Sequence, residues 1–345
     1  MSTSSVGLDE IAKKSGVAIS TVSRALRDLP GIHPKTRNRV LREAESLGYT
    51  TRPRRNERLK SDSRHVLILT VGEETPSGYM AGLSRASLQL NISLHLHHAS
   101  REESGDLLSP RNLPLCLREE MVSGVILVYR WSEKVVERLC RKYATVSILH
   151  TYPDAPLDVI GIDHAGGMFT LIRHLKAAGH TKIGFLGLDS QVSWARARFS
   201  SYLEALMAVD LPIAMDRVVP LELSRLSELT QHMADRVQDS AARGVRAWVC
   251  ADDFIGYDLC AELIRRGVRI PEDVSVTGFH RHPTIQHKGL PMLTSTMVDS
   301  ELMGSNALQQ LVKRMAHPDS LPQIIQMPAS FFQGRTTLPA KVNVT

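Results

Sequence analysis

The first side chains with usable chemistry are Ser20, Thr21, Ser23 and Arg24, set around Val22, Ala25 and Leu26. At helical spacing the three apolar residues form one stripe, and the hydroxyls and the arginine fall on the other face. Small hydroxyl side chains let a helix lie deep in a groove and, with helix N-terminal amides, bind phosphate oxygens. An arginine can bond guanine through two parallel hydrogen bonds. Gly16-Val17 just before this stretch permits a tight turn from a preceding helix. The plain alternative is an ordinary pair of helices with a solvated face.

Charge bears on the choice. The net charge is +6 over 345 residues, but residues 1–64 hold 14 Lys or Arg against 7 Asp or Glu, and the remainder is close to neutral. A basic arm on a neutral body suits a polyanion, and charge alone suits a solvated face equally well. Hydrophobic residues at 43% and charged residues at 23% describe a globular chain with ample core material. The N-terminus is polar, unlike a signal peptide, and no apolar run reaches the roughly 18 residues of a membrane span. Cys116, Cys140, Cys250 and Cys260 form no close metal-type pair, so reduced thiols in a cytoplasmic protein are expected.

Other reactive constellations are few. His95 and His97 would point the same way from one strand, with His98 opposite. That is half a metal site without a third ligand at useful spacing, so neither metal nor cofactor is expected. The sequence has no phosphate loop, dinucleotide glycine fingerprint or nucleophile elbow, so no enzyme is expected. Trp248 lies inside an apolar strand and reads as core.

The elements that position these groups are readable. Leu8, Ile11 and Ala12 start a first helix that Ser15-Gly16 breaks. A third helix starts at Pro34, carries Val40, Leu41, Ala44 and Leu47 inward, and stops at Gly48. Residues 50–64 are Arg-rich, with Leu59 as the one large apolar side chain, and read as a hinge or linker. From His65 onward β-rich runs at 66–71, 92–96, 124–129, 145–149, 182–187, 246–251 and 274–279 alternate with helical periodicity at 79–90, 132–142, 165–178, 195–209, 227–243 and 254–266. Such alternation predicts parallel sheets covered by helices, and the length favours two lobes.

Residues 8–49, from Leu8-Asp9-Glu10-Ile11-Ala12 through Gly16-Val17, Thr21-Val22-Ser23-Arg24, Thr36-Arg37, Val40 and Leu47-Gly48-Tyr49, resemble the DNA-binding head of the lactose/galactose-repressor (LacI/GalR) family. The resemblance continues through His174-Leu175, Gly179-His180 and Ile183, then Arg198 with Tyr202 and Leu206, Asp252-Asp253, the block 271–279, and Leu293-Thr294. It implies a helix-turn-helix head (residues 1–49), the basic hinge (50–64) and a two-lobed α/β body (65–345) like periplasmic binding proteins. The lobes would be about 65–162 plus 295–325 and about 163–292 plus 326–345.

The resemblance also implies roles. Ile19 and Ser20 take the base-reading slots, Arg24 is a further base contact, and Thr21, Ser23, Thr36 and Tyr49 meet the DNA backbone. A homodimer would bind a near-palindromic double-stranded operator, with repression as the usual output. Leu59 falls one residue beyond the slot of the family's minor-groove leucine. It is either that wedge or part of a cationic tether.

In the body a small-molecule effector, a sugar or a sugar acid or phosphate, would lie between the lobes. Tyr79, His150, Trp194, Arg198, Asp252, Asp253 and His280 are the implied contacts, with Asp253 alternatively a helix cap. His150 and His280 stand where the family often has Asp, followed in the second case by Arg281. Exchanging carboxylate for imidazole makes the pocket less acidic and raises the expectation of an anionic ligand.

Overall fold

The computed structural model describes residues 7–26, 32–47, 64–72, 77–109, 111–222, 226–280 and 289–338. Its head is built from α1 (Leu8–Ser15), α2 (Ile19–Leu26) and α3 (Pro34–Ser46). Their facing stripes enclose Ile11, Val22 and Val40, with Ala12, Ala25 and Ala44 between them. The small alanines let three short helices approach closely. α1 stops on Gly16 at φ 65, a left-handed conformation that glycine adopts without Cβ strain. Lys14 ties α1 to α3 through Ser46 at 2.7 Å and Glu43 at 3.4 Å. Leu41, expected in this core, is 45% exposed. The inward stripe of α3 is Val40 and Ala44, and Leu41 is turned about 100° away from Val40.

The strands of the body are β1 (Arg64–Val71), β2 (Ile92–Ala99), β3 (Gly124–Val128), β4 (Ala144–Ile148), β5 (Asp158–Ile162), β6 (Ile183–Leu188), β7 (Val218–Pro220), β8 (Ala247–Cys250), β9 (Ser275–Thr277), β10 (Ser295–Met297), β11 (Ile324–Met327) and β12 (Ser330–Phe332). They form two parallel sheets, ordered β11-β5-β4-β3-β1-β2 and β7-β6-β8-β9, and a short antiparallel pair, β10-β12, where the chain passes between them. The helices are α4 (Ser77–Leu90), α5 (Glu133–Cys140), α6 (His164–Ala177), α7 (Ser193–Ala208), α8 (Leu226–Ala241), α9 (Asp253–Arg265) and α10 (Ser300–Ala316). No helix among the described residues is long and apolar enough to cross a membrane.

The first sheet is buried on both faces. Val66, Ile68, Ile126 and Val146 join the core that includes Leu83 of α4 and Leu311 of α10, while Leu67, Leu69, Val125 and Leu127 pack with Val136 of α5, Trp131 and Tyr152. That double burial is why its strands read as unbroken apolar runs. Helices α4 and α10 cross almost backbone to backbone. A Cβ on Gly304 would lie 2.2 Å from the Tyr79 carbonyl oxygen. This contact sets the first turns of the two helices side by side.

Strands β5, β7, β10, β11 and β12 and helix α10 were not anticipated. β11 pairs in parallel with β5 along its whole length, so the first sheet keeps the chain through Met327, two residues past the lobe bound expected at about 325. The missing helix has a physical cause. α10 buries Gln310 and Arg314, 5% and 4% exposed, which spoils its apolar stripe. Both serve the buried carboxylate of Asp158 on β5. Gln310 donates to it at 2.9 Å, Arg314 Nε at 3.1 Å and the Gln323 amide at 2.8 Å, and Arg314 Nη2 completes the ion pair.

Candidate functional site

A cavity of about 720 Å³ opens beyond the C-terminal ends of strands from both sheets. This is where open parallel sheets place ligands. The backbone is bent to serve it. Tyr129, Leu149 and His280 follow β3, β4 and β9, line the cavity, and hold φ of 65, 76 and 69. Left-handed backbone is uncommon for such residues and collects at binding sites, where the surrounding fold enforces it.

Arg198 of α7 forms the floor. Its side chain is 3% exposed, and Nη1 donates to the Ala251 carbonyl at 2.6 Å and to Asp252 Oδ2 at 3.0 Å. The guanidinium carbon lies 4.7 Å from the Trp194 ring centre and 4.5 Å from that of Phe279. Cation–π contact with both rings restrains the group. Burial pushes its pKa down, opposed by Asp252.

Asp252 has two duties. It accepts from Arg198 and also from the Phe254 amide at 3.1 Å as the N-cap of α9. The sequence placed Asp253 in the cavity or at the cap, and it is in neither. Asp253 is 1% exposed and accepts from Ser295 Oγ at 2.5 Å, joining α9 to β10. The correction follows from the strand end: β8 stops at Cys250, so the first residue able to cap α9 is Asp252.

Tyr79, His150, Trp194, Arg198, Asp252 and His280 do come together around the cavity, with Gly78 and Ser300 beside them. Tyr79 is 6% exposed, and burial with Tyr129 nearby raises its hydroxyl pKa well above the usual phenol range. Burial and the Arg130 charge push the His150 imidazole down to about 4. Trp248 is fully buried in β8, as core.

The sequence reading missed His164. It opens α6, whose N-cap Asp163 accepts from the Gly166 amide at 2.9 Å. Its ring leans on Phe279 at 5.6 Å, and Nδ1 is buried without a hydrogen-bond partner. Burial, Arg198 and His280 push its pKa down to about 3. A buried polar atom left unpaired beside a cavity is a group awaiting a ligand. The signal was Asp163-His164 directly after a strand, and it was hidden because β5 itself was not recognised.

Of the β2 histidines, His95 places Nε2 2.9 Å from His65 Nδ1 on β1, and no cluster of three metal-ligating residues occurs among the described residues.

In the head, α2 turns Ile19, Ser20 and Arg24 outward, with Ile19 at 52% exposure. Thr21 and Ser23 are half-buried at its flanks, and Thr36 is half-buried in the first turn of α3. Ala18, just before α2, has no side-chain oxygen to cap the first-turn amides, and its carbonyl accepts from the Thr21 amide at 2.8 Å. Tyr49, Leu59, Gly48 and Arg281 lie outside the described residues.

Comparison with known proteins agrees with both parts. Residues 7–52 match the model "Bacterial regulatory proteins, lacI family", and residues 172–337 match "Periplasmic binding protein-like domain". The lactose operon repressor of Klebsiella pneumoniae is 26% identical over 325 residues, covering 90% of this chain and 86% of that protein. The structure of the lac repressor dimer bound to operator and the anti-inducer ONPF superimposes with a TM-score of 0.64 at 23% identity, covering 96% of this chain and 99% of the other. The transcriptional regulator CelR–cellobiose complex gives 0.64 at 22% identity with the same coverage.

Proposed function

Because the chain belongs to the LacI family of bacterial regulatory proteins, we propose that it is a cytoplasmic, sequence-specific repressor that binds a near-palindromic operator as a homodimer and responds to a small molecule in the interlobe cleft. Its relatives are transcription regulators, not enzymes. The observation that carries the DNA half is the orientation of α2. Val22 and Ala25 are sealed against Ile11 and Val40, so Ile19, Ser20 and Arg24 face outward as one reading surface. Phosphate contacts from Thr21, Ser23, Thr36 and Tyr49 would fix the register of that surface.

The cleft favours a neutral, hydroxyl-rich effector over the anionic one that the sequence suggested. His150 and His164 are uncharged at neutral pH, with pKa values pushed down to about 4 and about 3. Arg198 already carries Asp252 as its counter-ion. An anion there would face the Asp252 carboxylate, whereas hydroxyl groups can donate to Asp252 and accept from Arg198 together.

The test is selection of duplexes from a random pool, followed by gel-shift titration of the best sequence. A symmetric site bound at least about a thousandfold tighter than random duplex at physiological salt is expected. Binding without sequence preference overturns the reading.

A further inference from the structure

His65 is the second residue of β1, directly after the basic segment 50–64 that joins the head to the body. Its ring lies on the sheet face that carries Leu67 and Leu69, as does the ring of His95 on β2. The two meet diagonally across the ladder, in which His65 stands opposite Ser93 and Leu67 opposite His95. His65 Nδ1 and His95 Nε2 are 2.9 Å apart. The ring centroids are 5.2 Å apart, as far as that contact allows, so the two nitrogens meet head-on over one shared proton. His65 is 6% exposed, and its other nitrogen, Nε2, is buried without a hydrogen-bond partner. His95 is half-buried. Two imidazoles in this contact hold two protons. The least costly arrangement puts one on His65 Nδ1, donated to His95 Nε2, and one on His95 Nδ1, because a buried acceptor tolerates being unpaired better than a buried donor. A third proton finds no place while the contact lasts. On His65 Nε2 it makes a buried N–H without an acceptor. On His95 Nε2 it sets N–H against N–H, or drives the His65 proton to that same Nε2.

We propose that the His65–His95 contact is a proton switch at the foot of the DNA-binding arm. Neutral, it fastens the start of β1 to β2, the edge strand of the first sheet. On mild acidification it takes a third proton and opens, which loosens the anchorage of the arm and lowers operator affinity. Burial, and then the charge of His95, push the His65 pKa down, in keeping with a contact that resists that proton at neutral pH. Other ionisable groups nearby are engaged separately. Glu103 of the short helix Arg101–Ser104 offsets part of the burial cost of a charged His97. Glu120, before β3, binds Lys142 at 2.7 Å. Burial pushes the Cys116 thiol up, and Arg118 and Glu119 are exposed. Arg64 alternates to the other face of the sheet, where it lines a cavity with Met315 of α10. The inference rests on the operator-binding reading above and adds to it a response that needs no effector.

Anisotropy titration of the selected duplex with the full-length protein, at constant ionic strength and at pH 7.5, 6.5 and 5.5, tests it. His95→Gln and His65→Asn place a neutral amide where Nε2 and Nδ1 stood and cannot take the proton. The unaltered protein is expected to lose about tenfold or more in operator affinity between pH 7.5 and 5.5, and each variant at most about threefold, from similar Kd values at pH 7.5. Random duplex titrated alongside should not share the loss, because acidification only adds positive charge to the protein. Near-ultraviolet circular dichroism at each pH is expected to stay native. Operator affinity that does not weaken with acid overturns the switch, as does a loss that the variants reproduce in full. A loss that accompanies unfolding of the body overturns it too. If one variant does not fold at pH 7.5, the other decides. If no duplex is selected at pH 7.5, the operator-binding reading itself fails and the switch falls with it.

Discussion

Arg198 Nη1 donates to Asp252 Oδ2 at 3.0 Å across the base of the cleft, and this pair joins α7 to the N-cap of α9. Asp252 and the Trp194 and Phe279 rings hold the guanidinium in place, so little side-chain ordering remains to be done on binding. Removing the planar fork while keeping the charge isolates its contribution. Arg198→Lys is expected to cost about 1.5–3 kcal/mol of effector affinity, roughly ten- to a hundredfold in Kd. Operator affinity without effector stays unchanged. Calorimetry and gel shift on the same preparation separate the two, and an unaltered effector Kd would remove Arg198 from the site.

The unpaired imidazole of His164 makes stability depend on pH. Its pKa is about 3 in the folded protein against 6.5 for the free side chain. Between those values the unfolded chain binds a proton that the folded chain refuses, so stability is full above pH 6.5 and declines as pH falls toward 3. His164→Asn is expected to flatten part of that decline. Urea midpoints at pH 7.5, 6 and 5 check it. Parallel curves for the two proteins would show that the buried histidine does not contribute.

Asp158 sets the opposite limit of the same argument. Burial alone would raise its pKa, but Arg314, Gln310 and the Gln323 amide outweigh that and hold it below the ordinary 3.8. The stability it supplies is present above about pH 4 and disappears as pH falls further. Asp158→Asn leaves Arg314 buried without its counter-ion and should cost about 3–5 kcal/mol at pH 7. Denaturant unfolding measures the loss, and the variant should change less than the parent protein between pH 4.5 and 3.

The head separates reading from folding. Ile11→Ala empties the centre of a very small core, at about 2–5 kcal/mol, which should unfold the head and abolish DNA binding while effector affinity persists. Ile19→Ala leaves that core intact. It should shift preference at one base pair in each half-site by about 1–3 kcal/mol, visible on repeating the duplex selection. An unchanged consensus would take Ile19 out of the reading surface.

Much of this was legible in one dimension. The stripe of Ile11, Val22 and Val40 and the outward hydroxyls of α2 follow from helical period alone, because all their contacts are local. Strands buried on both faces announced themselves as apolar runs. Trp248 was readable as core from its apolar neighbours in β8. The elements that escaped are those whose logic is not local. α10 looks unlike an amphipathic helix because Gln310 and Arg314 on its buried face answer Asp158, over 150 residues earlier in the chain.

The sequence by itself therefore determined the head and the alternation of the body, through periodicity and motif spacing, and named most residues that reach the cleft through the family resemblance. Tertiary structure alone decided how the cleft is charged. Whether a histidine is cationic and whether an arginine is already paired depend on burial and on partners distant in the chain. Burial left His150 and His164 as neutral imidazoles, Arg198 took Asp252 as its partner, and Asp253 was drawn away to Ser295.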